Sequence, residues 1–229
     1  MRLTWLGHAC FSLAGSRTVL IDPFIPEGSL TMEPDIVAVT HAHADHLGIA
    51  AQLSKKTVAI NEVAKYLRSK GVPAEPMNLG GSITVDGVGF TMTPALHSSW
   101  LEDEGPGFYG GVAAGFVIKM DGISVYHAGD TALFSDMQLI RDLYRPDVAL
   151  LPVSGRYTMG PDAAMIAARY IGARLVIPMH YDPSPANRED LLNFKQANFK
   201  QALERTTAIR VRILSPGESI EIGPESSGE

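Results

Sequence analysis

The sequence predicts one α/β domain built on two sheets. Three observations point there. Short apolar runs punctuated by Gly, Pro and Asp fill the first forty residues, and strand and helix patterns alternate in the second half. Polar side chains suited to binding metal follow several of these runs directly. No stretch of the 229 residues reads as a linker between two units, so residues 1–223 are assigned to one domain and 224–229 to a flexible polar tail.

Taken in order, Leu3 to Leu6, Cys10 to Leu13 and Thr18 to Ile21 are strand candidates, the third ended by Asp22-Pro23. Ile36 to Thr40 is nearly continuous and β-branched, the pattern of a strand buried on both faces. Thr57 to Ile60 is a further strand. Asn61 reads as the cap of a helix over Glu62 to Lys70, stopped by Gly71. Residues 80 to 96 are rich in strand, with turns at Gly80-Gly81 and Asp86-Gly87. Residues 98 to 111 form a long loop, a length that usually serves function.

Val112 to Met120 and Ser124 to His127 flank an Asp121-Gly122 turn. Leu133, Met137, Ile140 and Tyr144 follow helical spacing, Val148 to Val153 is a strand, and Pro161 opens a helix to about Ile171. Leu175 to Met179 is a strand. The last helix begins near Asn187 and contains a repeat, Asn193 to Ala197 and then Asn198 to Ala202. Five residues turn a helix by about 140°, so Phe194 and Phe199 are expected on different faces, one in the core and one exposed or at a subunit contact. Ile209 to Leu214 and Ser219 to Ile222 complete the chain's strands.

Hydrophobic residues make up 45% and charged residues 19%, ordinary for a globular chain. The net charge of −6 argues against a broad nucleic-acid-binding face. No apolar run reaches the ~18 residues of a membrane span. Met1 to His8 does not read as a signal peptide, because Gly7 and His8 break its short apolar stretch. Cys10, the single cysteine, permits no intrachain disulfide and reads as a small core residue; a reducing, cytoplasmic setting is expected.

Three of seven histidines fall in His41-Ala42-His43-Ala44-Asp45-His46, directly after the buried strand. Core packing gives no reason for four polar groups there, since each would need a buried partner. His97, Asp130 and His180 each follow another apolar strand, and carboxyl ends of strands collect on one sheet edge. Seven donors suit two metal ions: His41, His43 and His97 for one, Asp45, His46 and His180 for the other, with Asp130 bridging. Two divalent cations outweigh two aspartates, lower the pKa of a bridging water and draw an anionic or polarised substrate. Nitrogen-rich ligation favours zinc, with manganese, iron or cobalt as alternatives.

These motifs, together with Trp5-Leu6-Gly7-His8-Ala9, Ile21-Asp22-Pro23, Tyr126 to Thr131, Tyr157 to Pro161 and Ile177 to Tyr181, resemble the metallo-β-lactamase superfamily. The closer resemblance is to UPF0173-type metal-dependent hydrolases, akin to ascorbate-6-phosphate lactonase-like proteins. It implies a four-layer αββα sandwich. His43 stands where the di-iron branch carries Glu, which points to a hydrolase. The nucleic-acid-processing branches usually carry a large inserted domain or an extended arm, and at 229 residues this chain is expected to lack one. Asp22 resembles the family's buried aspartate that orients the histidine loop; otherwise it is a turn residue before proline.

His8 and His127 are surplus to this ligand count. Either donates to a metal-bound aspartate or protonates a leaving group; the first role is favoured for His127, and His8 stays open between them. Asp45 is a ligand, a general base, or both. Arg156 and Tyr157 follow a strand on the same edge and are candidates for contacting substrate, as is Trp100, which with Phe108 and Tyr109 forms a lid over an apolar part of it.

The expected activity is metal-dependent hydrolysis of a small ester, lactone or thioester by a metal-bridging hydroxide. The alternatives are a phosphodiesterase and a non-catalytic metal-dependent binding or sensor protein. Expected partners are a small-molecule substrate, with no nucleic acid and no membrane; a homo-oligomer is compatible with the sequence.

Overall fold

The computed structural model describes residues 1–25, 30, 32–102, 108–181, 194 and 198–223. Its strands form two mixed sheets of seven. The first takes β1 (Arg2–Gly7), β2 (Cys10–Ala14), β3 (Thr18–Ile21), β4 (Ile36–Val39), β5 (Lys56–Ile60) and β6 (Ala74–Met77) in chain order, with β14 (Ser219–Glu221) beside β1. The second takes β7 (Ser82–Val85), β8 (Val88–Pro94), β9 (Ala114–Met120), β10 (Ile123–His127), β11 (Val148–Pro152), β12 (Leu175–Met179) and β13 (Arg210–Val211), likewise in chain order. Each sheet is antiparallel where hairpins join its strands and parallel beyond β3 and β10, where longer connections return the chain.

Six helices are described: α1 (Ala44–Leu47), α2 (Ala50–Leu53), α3 (Asn61–Ser69), α4 (Met137–Tyr144), α5 (Pro161–Ile171) and α6 (Phe199–Thr206). They flank the sheets, with α3 against β5 and β6, α5 against β11, and α6 against β13. In α5, Ala164, Ala167, Ala168 and Ile171 recur at helical spacing and are buried, while Pro161 opens the helix and Gly172 closes it with a left-handed cap. One continuous core joins both sheets. Each fully buried Leu, Ile or Val contributes roughly 1.5–3 kcal/mol. Cys10 lies in that core.

Several elements differ from the sequence reading. Strand β6 was not predicted: it holds Pro76 and buries only its two ends, so it shows no alternation, and it stands at a sheet edge, where proline is tolerated. Asn61 is the first residue of α3 and not its cap. The strand from Val112 begins at Ala114, and only Arg210–Val211 of the stretch from Ile209 joins a ladder. Phe194 and Phe199 are both buried, with rings 5.9 Å apart, because Asn198 is left-handed and α6 starts only after it. A helical count therefore does not run through the repeat. The predicted start near Asn187 and the tail at 224–229 lie outside the described residues.

No helix among the described residues is long and apolar enough to cross a membrane.

Candidate metal centre

The carboxyl ends of β3, β4, β8, β10 and β12 and the turn after β1 converge on one edge. The chain turns sharply as it leaves β4: His41 and His43 lie in the connecting loop, and Asp45 and His46 lie on α1. Gly48 ends α1 at φ 46°, and any side chain there would collide with the backbone of Pro23, so the loop can fold down only on glycine. Asp22 and His180 also adopt positive φ, 47° and 62°. For residues with a side chain this costs about 1–2 kcal/mol each, strain of the kind concentrated at functional sites.

Asp22 is fully buried and organises the loop. Its Oδ1 accepts the Thr40 amide at 2.8 Å, and its Oδ2 accepts the Thr40 hydroxyl at 2.8 Å and His46 Nδ1 at 2.7 Å. These bonds fix protons. His46 carries its hydrogen on Nδ1 and offers Nε2. Thr40 spends its hydrogen on Asp22, so His41 Nδ1, 3.0 Å away, must donate to Thr40 Oγ1; its Nε2 then carries no hydrogen and lies 3.0 Å from His43 Nδ1.

Three overlapping groups of donor atoms result, each within 4.8 Å: His41, His43 and His97; His8, Asp45, His46 and His180; and His41, His46 and Asp130. Asp130 lies between the first two, with Oδ1 3.3 Å from His46 Nε2 and Oδ2 3.0 Å from His180 Nε2 and 3.7 Å from His97 Nε2. His8 joins the second group, which the sequence reading had filled without it. Its Nε2 is 2.9 Å from Asp45 Oδ2, and its ring centre is 3.9 Å from that of His180.

Burial and the neighbouring His46 hold His41 well below the usual imidazole range. Burial also lowers His43 and His97, so all three are neutral donors. Burial is the largest influence and opposes a charge on His46 and His180, but Asp130, joined by Asp22 at His46 and by Asp45 at His180, raises both on balance. The same two histidines hold Asp130 far below the ordinary carboxylate range although burial works against its charge. His43 Nε2, His46 Nε2, His180 Nε2 and Asp130 Oδ1 are buried and make no well-directed hydrogen bond, although the last three atoms lie within ion-pair distance of the histidine–aspartate partners just named. Four orphaned polar atoms in one place would be costly, and divalent cations satisfy them all. The residues therefore fit bound metal.

His127 needs a correction. Its Nε2 donates to the Ala9 carbonyl at 2.8 Å and its Nδ1 accepts the Gly129 amide at 3.1 Å. Both nitrogens are used and the ring is fully buried, so it neither donates to Asp130 nor has a proton to pass to a leaving group. It fixes the backbone that presents Asp130.

Trp100 lies edge-on to His43 with ring centres 4.7 Å apart. Its loop is pinned to the histidine loop: Ser99 Oγ accepts the Ala42 amide at 3.1 Å, and a side chain on Gly110 would overlap Ala42. Arg156 and Tyr157 stay together, the guanidinium 5.2 Å over the ring, with no hydrogen bond or ion pair to the cluster among the described residues. Their loop meets the site through Met159, whose amide donates to the Thr131 carbonyl.

Sequence reasoning missed Thr40 and Ser99. Thr40 carried a signal, as the one polar residue ending a continuous apolar strand; Ser99, in a polar loop, carried none.

Two buried sheets with a histidine–aspartate cluster across one shared edge define a metallohydrolase fold, and a profile of the beta-lactamase superfamily domain matches residues 2–180. The chain belongs to that superfamily. It is 82% identical over 229 residues to a UPF0173 metal-dependent hydrolase of Methanoculleus marisnigri, covering the whole of both. A UPF0173 metal-dependent hydrolase of Methanospirillum hungatei is 59% identical over 97% of this chain and 99% of its own length. Among solved structures, the novel metallo hydrolase Igni18 from Ignicoccus hospitalis superposes with a TM-score of 0.82 at 37% identity, over 97% of this chain and 99% of that one. The protein is a metal-dependent hydrolase.

Proposed function

We propose that this hydrolase cleaves a small ester, lactone or thioester and holds two divalent ions, most readily zinc, to do so. The observation that carries the reading is the set of orphaned donors on His43, His46, His180 and Asp130, divided between two groups that Asp130 joins. His41, His43 and His97 would hold one ion, and Asp45, His46 and His180 the other. When bound, the ions supply Lewis-acid polarisation of the scissile oxygen and a nucleophilic water at neutral pH.

The chain's own residues do the rest. Asp22 and Thr40 keep the lone pairs of His46 and His41 turned toward the centre. Asp45 is the acid open to the cleft, with a side chain 41% exposed against 3% for Asp130. The hydrogen bond from His8 and the nearby His46 keep Asp45 ionised although burial opposes it. It is therefore anionic at neutral pH and placed to accept a hydrogen bond from the attacking water and orient it, while His8 steadies the carboxylate.

An acyl substrate is preferred over a phosphodiester because no lysine or arginine among the described residues pairs with the cluster. The net charge of −6 argues for a small molecule over nucleic acid. Of the acidic run at 102–104, only Glu102 is described, and it is exposed.

The test is a screen of zinc- or manganese-reconstituted protein against p-nitrophenyl esters, lactones, thioesters and bis-(p-nitrophenyl) phosphate, with and without chelator. Metal-dependent turnover fastest on an acyl substrate is expected. Faster turnover of the phosphodiester, or metal binding with no turnover at all, overturns the reading.

A further inference from the structure

Of the large apolar side chains exposed among the described residues, an unusual share gathers in one stretch: Leu96, Trp100, Phe108, Tyr109 and Val112. These residues lie between the end of β8 and the start of β9, the segment that also carries His97. The other exposed apolar residues are Leu139 and Leu143 on α4, Ile166 on α5, and Leu79, Tyr157 and Ile213 in connecting segments. Scattered ones need no explanation, whereas a contiguous group beside a reactive centre marks a binding surface.

One of these side chains touches the metal centre, and the backbone of another is tied beside it. Trp100 is 46% exposed, yet its ring edge rests on His43. Its backbone is held by a bridge to Tyr109 and by the bonds of Ser99 to Ala42 and Gly110. Leu96 is 55% exposed, while its amide donates to Thr131 Oγ1 and its carbonyl accepts the Ala132 amide, one residue beyond the Asp130-Thr131 turn. On the other flank the half-buried Phe24 meets His8 edge-on at 5.6 Å. These backbone anchors hold the Leu96 and Trp100 main chain beside the histidine loop and the Asp130-Thr131 turn.

We propose that Trp100 and Leu96 form an acyl subsite, so that the substrate carries a hydrophobic acyl group longer than acetyl, laid along Trp100 with its carbonyl at the metal centre. This rests on the acyl-hydrolase reading above and adds the specificity it lacks. The contact of Trp100 with a metal-binding histidine favours a part of the substrate over a separate partner, because anything seated on that ring is next to the reacting bond. A flexible acyl chain suits a surface lined by an indole and a leucine with no basic side chain paired beside it.

Two measurements on the metal-reconstituted protein test this. First, kcat/KM is followed along p-nitrophenyl acetate, butyrate, hexanoate and octanoate. A rise of about two- to four-fold per added methylene is expected until the surface is covered. Trp100→Ala should flatten that rise, and Leu96→Ala should reduce it. Second, octanoate is titrated against intrinsic fluorescence. Trp5, the other tryptophan, is 1% exposed, so a blue shift on binding reports Trp100 and should vanish in W100F. Esters cleaved at equal rates from acetate to octanoate overturn the subsite alone. Esters untouched with every metal overturn the acyl-hydrolase reading beneath it. A flat ester series together with Trp100-dependent binding to phosphatidylcholine vesicles assigns the surface to a membrane and overturns the subsite as well.

Discussion

The backbone carbonyl of His8 accepts the amide of His180 at 3.0 Å, and both residues stand in the left-handed region, at φ 51° and 62°. The same carbonyl also takes the indole N–H of Trp5 at 3.0 Å, and Trp5 in turn packs on Tyr181 with ring centres 5.1 Å apart. The turn after the first strand and the end of β12 are thus locked together, and their strained backbones point two imidazoles at Asp45. Through this link a feature of the first sheet sets the position of a donor in the second.

Asp22→Ala removes the acceptor for Thr40 and His46 without touching any atom that faces the metal. Metal affinity or turnover should fall about 10- to 100-fold, since partners that orient ligands carry effects of that size. Asp22→Asn, which keeps one acceptor oxygen, should fall less. Metal titration and kcat/KM measured side by side check this, and unchanged values in the alanine variant would show that the loop holds itself.

Asp130→Ala should remove the link between the two donor groups. Elemental analysis of the reconstituted variant should show fewer than two ions per chain, and hydrolysis should drop below detection. Two tightly held ions with ordinary turnover would show that Asp130 joins nothing.

Chelation should destabilise the protein. At metal a hundred-fold above its dissociation constant, binding contributes about 2.7 kcal/mol per site. For a domain of this size that moves Tm by roughly 5–10 °C. Calorimetry before and after chelator, then after adding zinc back, reads the difference. A Tm indifferent to metal contradicts the fit of the cluster.

His127 gives a pH dependence free of the metal. Burial lowers its pKa, with the nearby Asp22 opposing. A histidine whose folded pKa is lowered contributes stability above the unfolded value near 6.5, and that contribution is lost as pH falls toward the folded value. Chelated protein should therefore lose stability between pH 7.5 and 5.5. His127→Gln, which can still donate to Ala9, should be less stable at pH 7.5 but lose less over that range. Urea midpoints at the two pH values decide it; an equal loss in both proteins removes His127 as a cause.

That His41, His43, Asp45, His46, His97, Asp130 and His180 gather in one place was legible because their spacing after apolar strands has no packing explanation, and the sheets because short apolar runs alternate with turns. What the sequence hid was contact between distant segments. His127 read as a neighbour of Asp130 because they are close in the chain, yet its bonds go to Ala9 and Gly129. His8 read as surplus because nothing local shows that Asp45 comes within 2.9 Å of it. Phe194 and Phe199 were separated by a helical count that a single left-handed Asn198 interrupts. Strand β6 escaped because an edge strand with proline shows neither alternation nor a continuous apolar run.

The linkage of His8 to His180 also orders events in time. The second donor group draws on the first turn of the chain, on α1 and on the end of β12, and no local stretch supplies it. Contacts of such sequence separation are slow to form, because the loop must close before any bond rewards it. Full metal occupancy therefore cannot seed folding, and it arises only once both sheets have docked. A newly made chain that holds its complement of ions has, by that fact, finished its architecture, so metal uptake followed in real time serves as a clock for the last folding step.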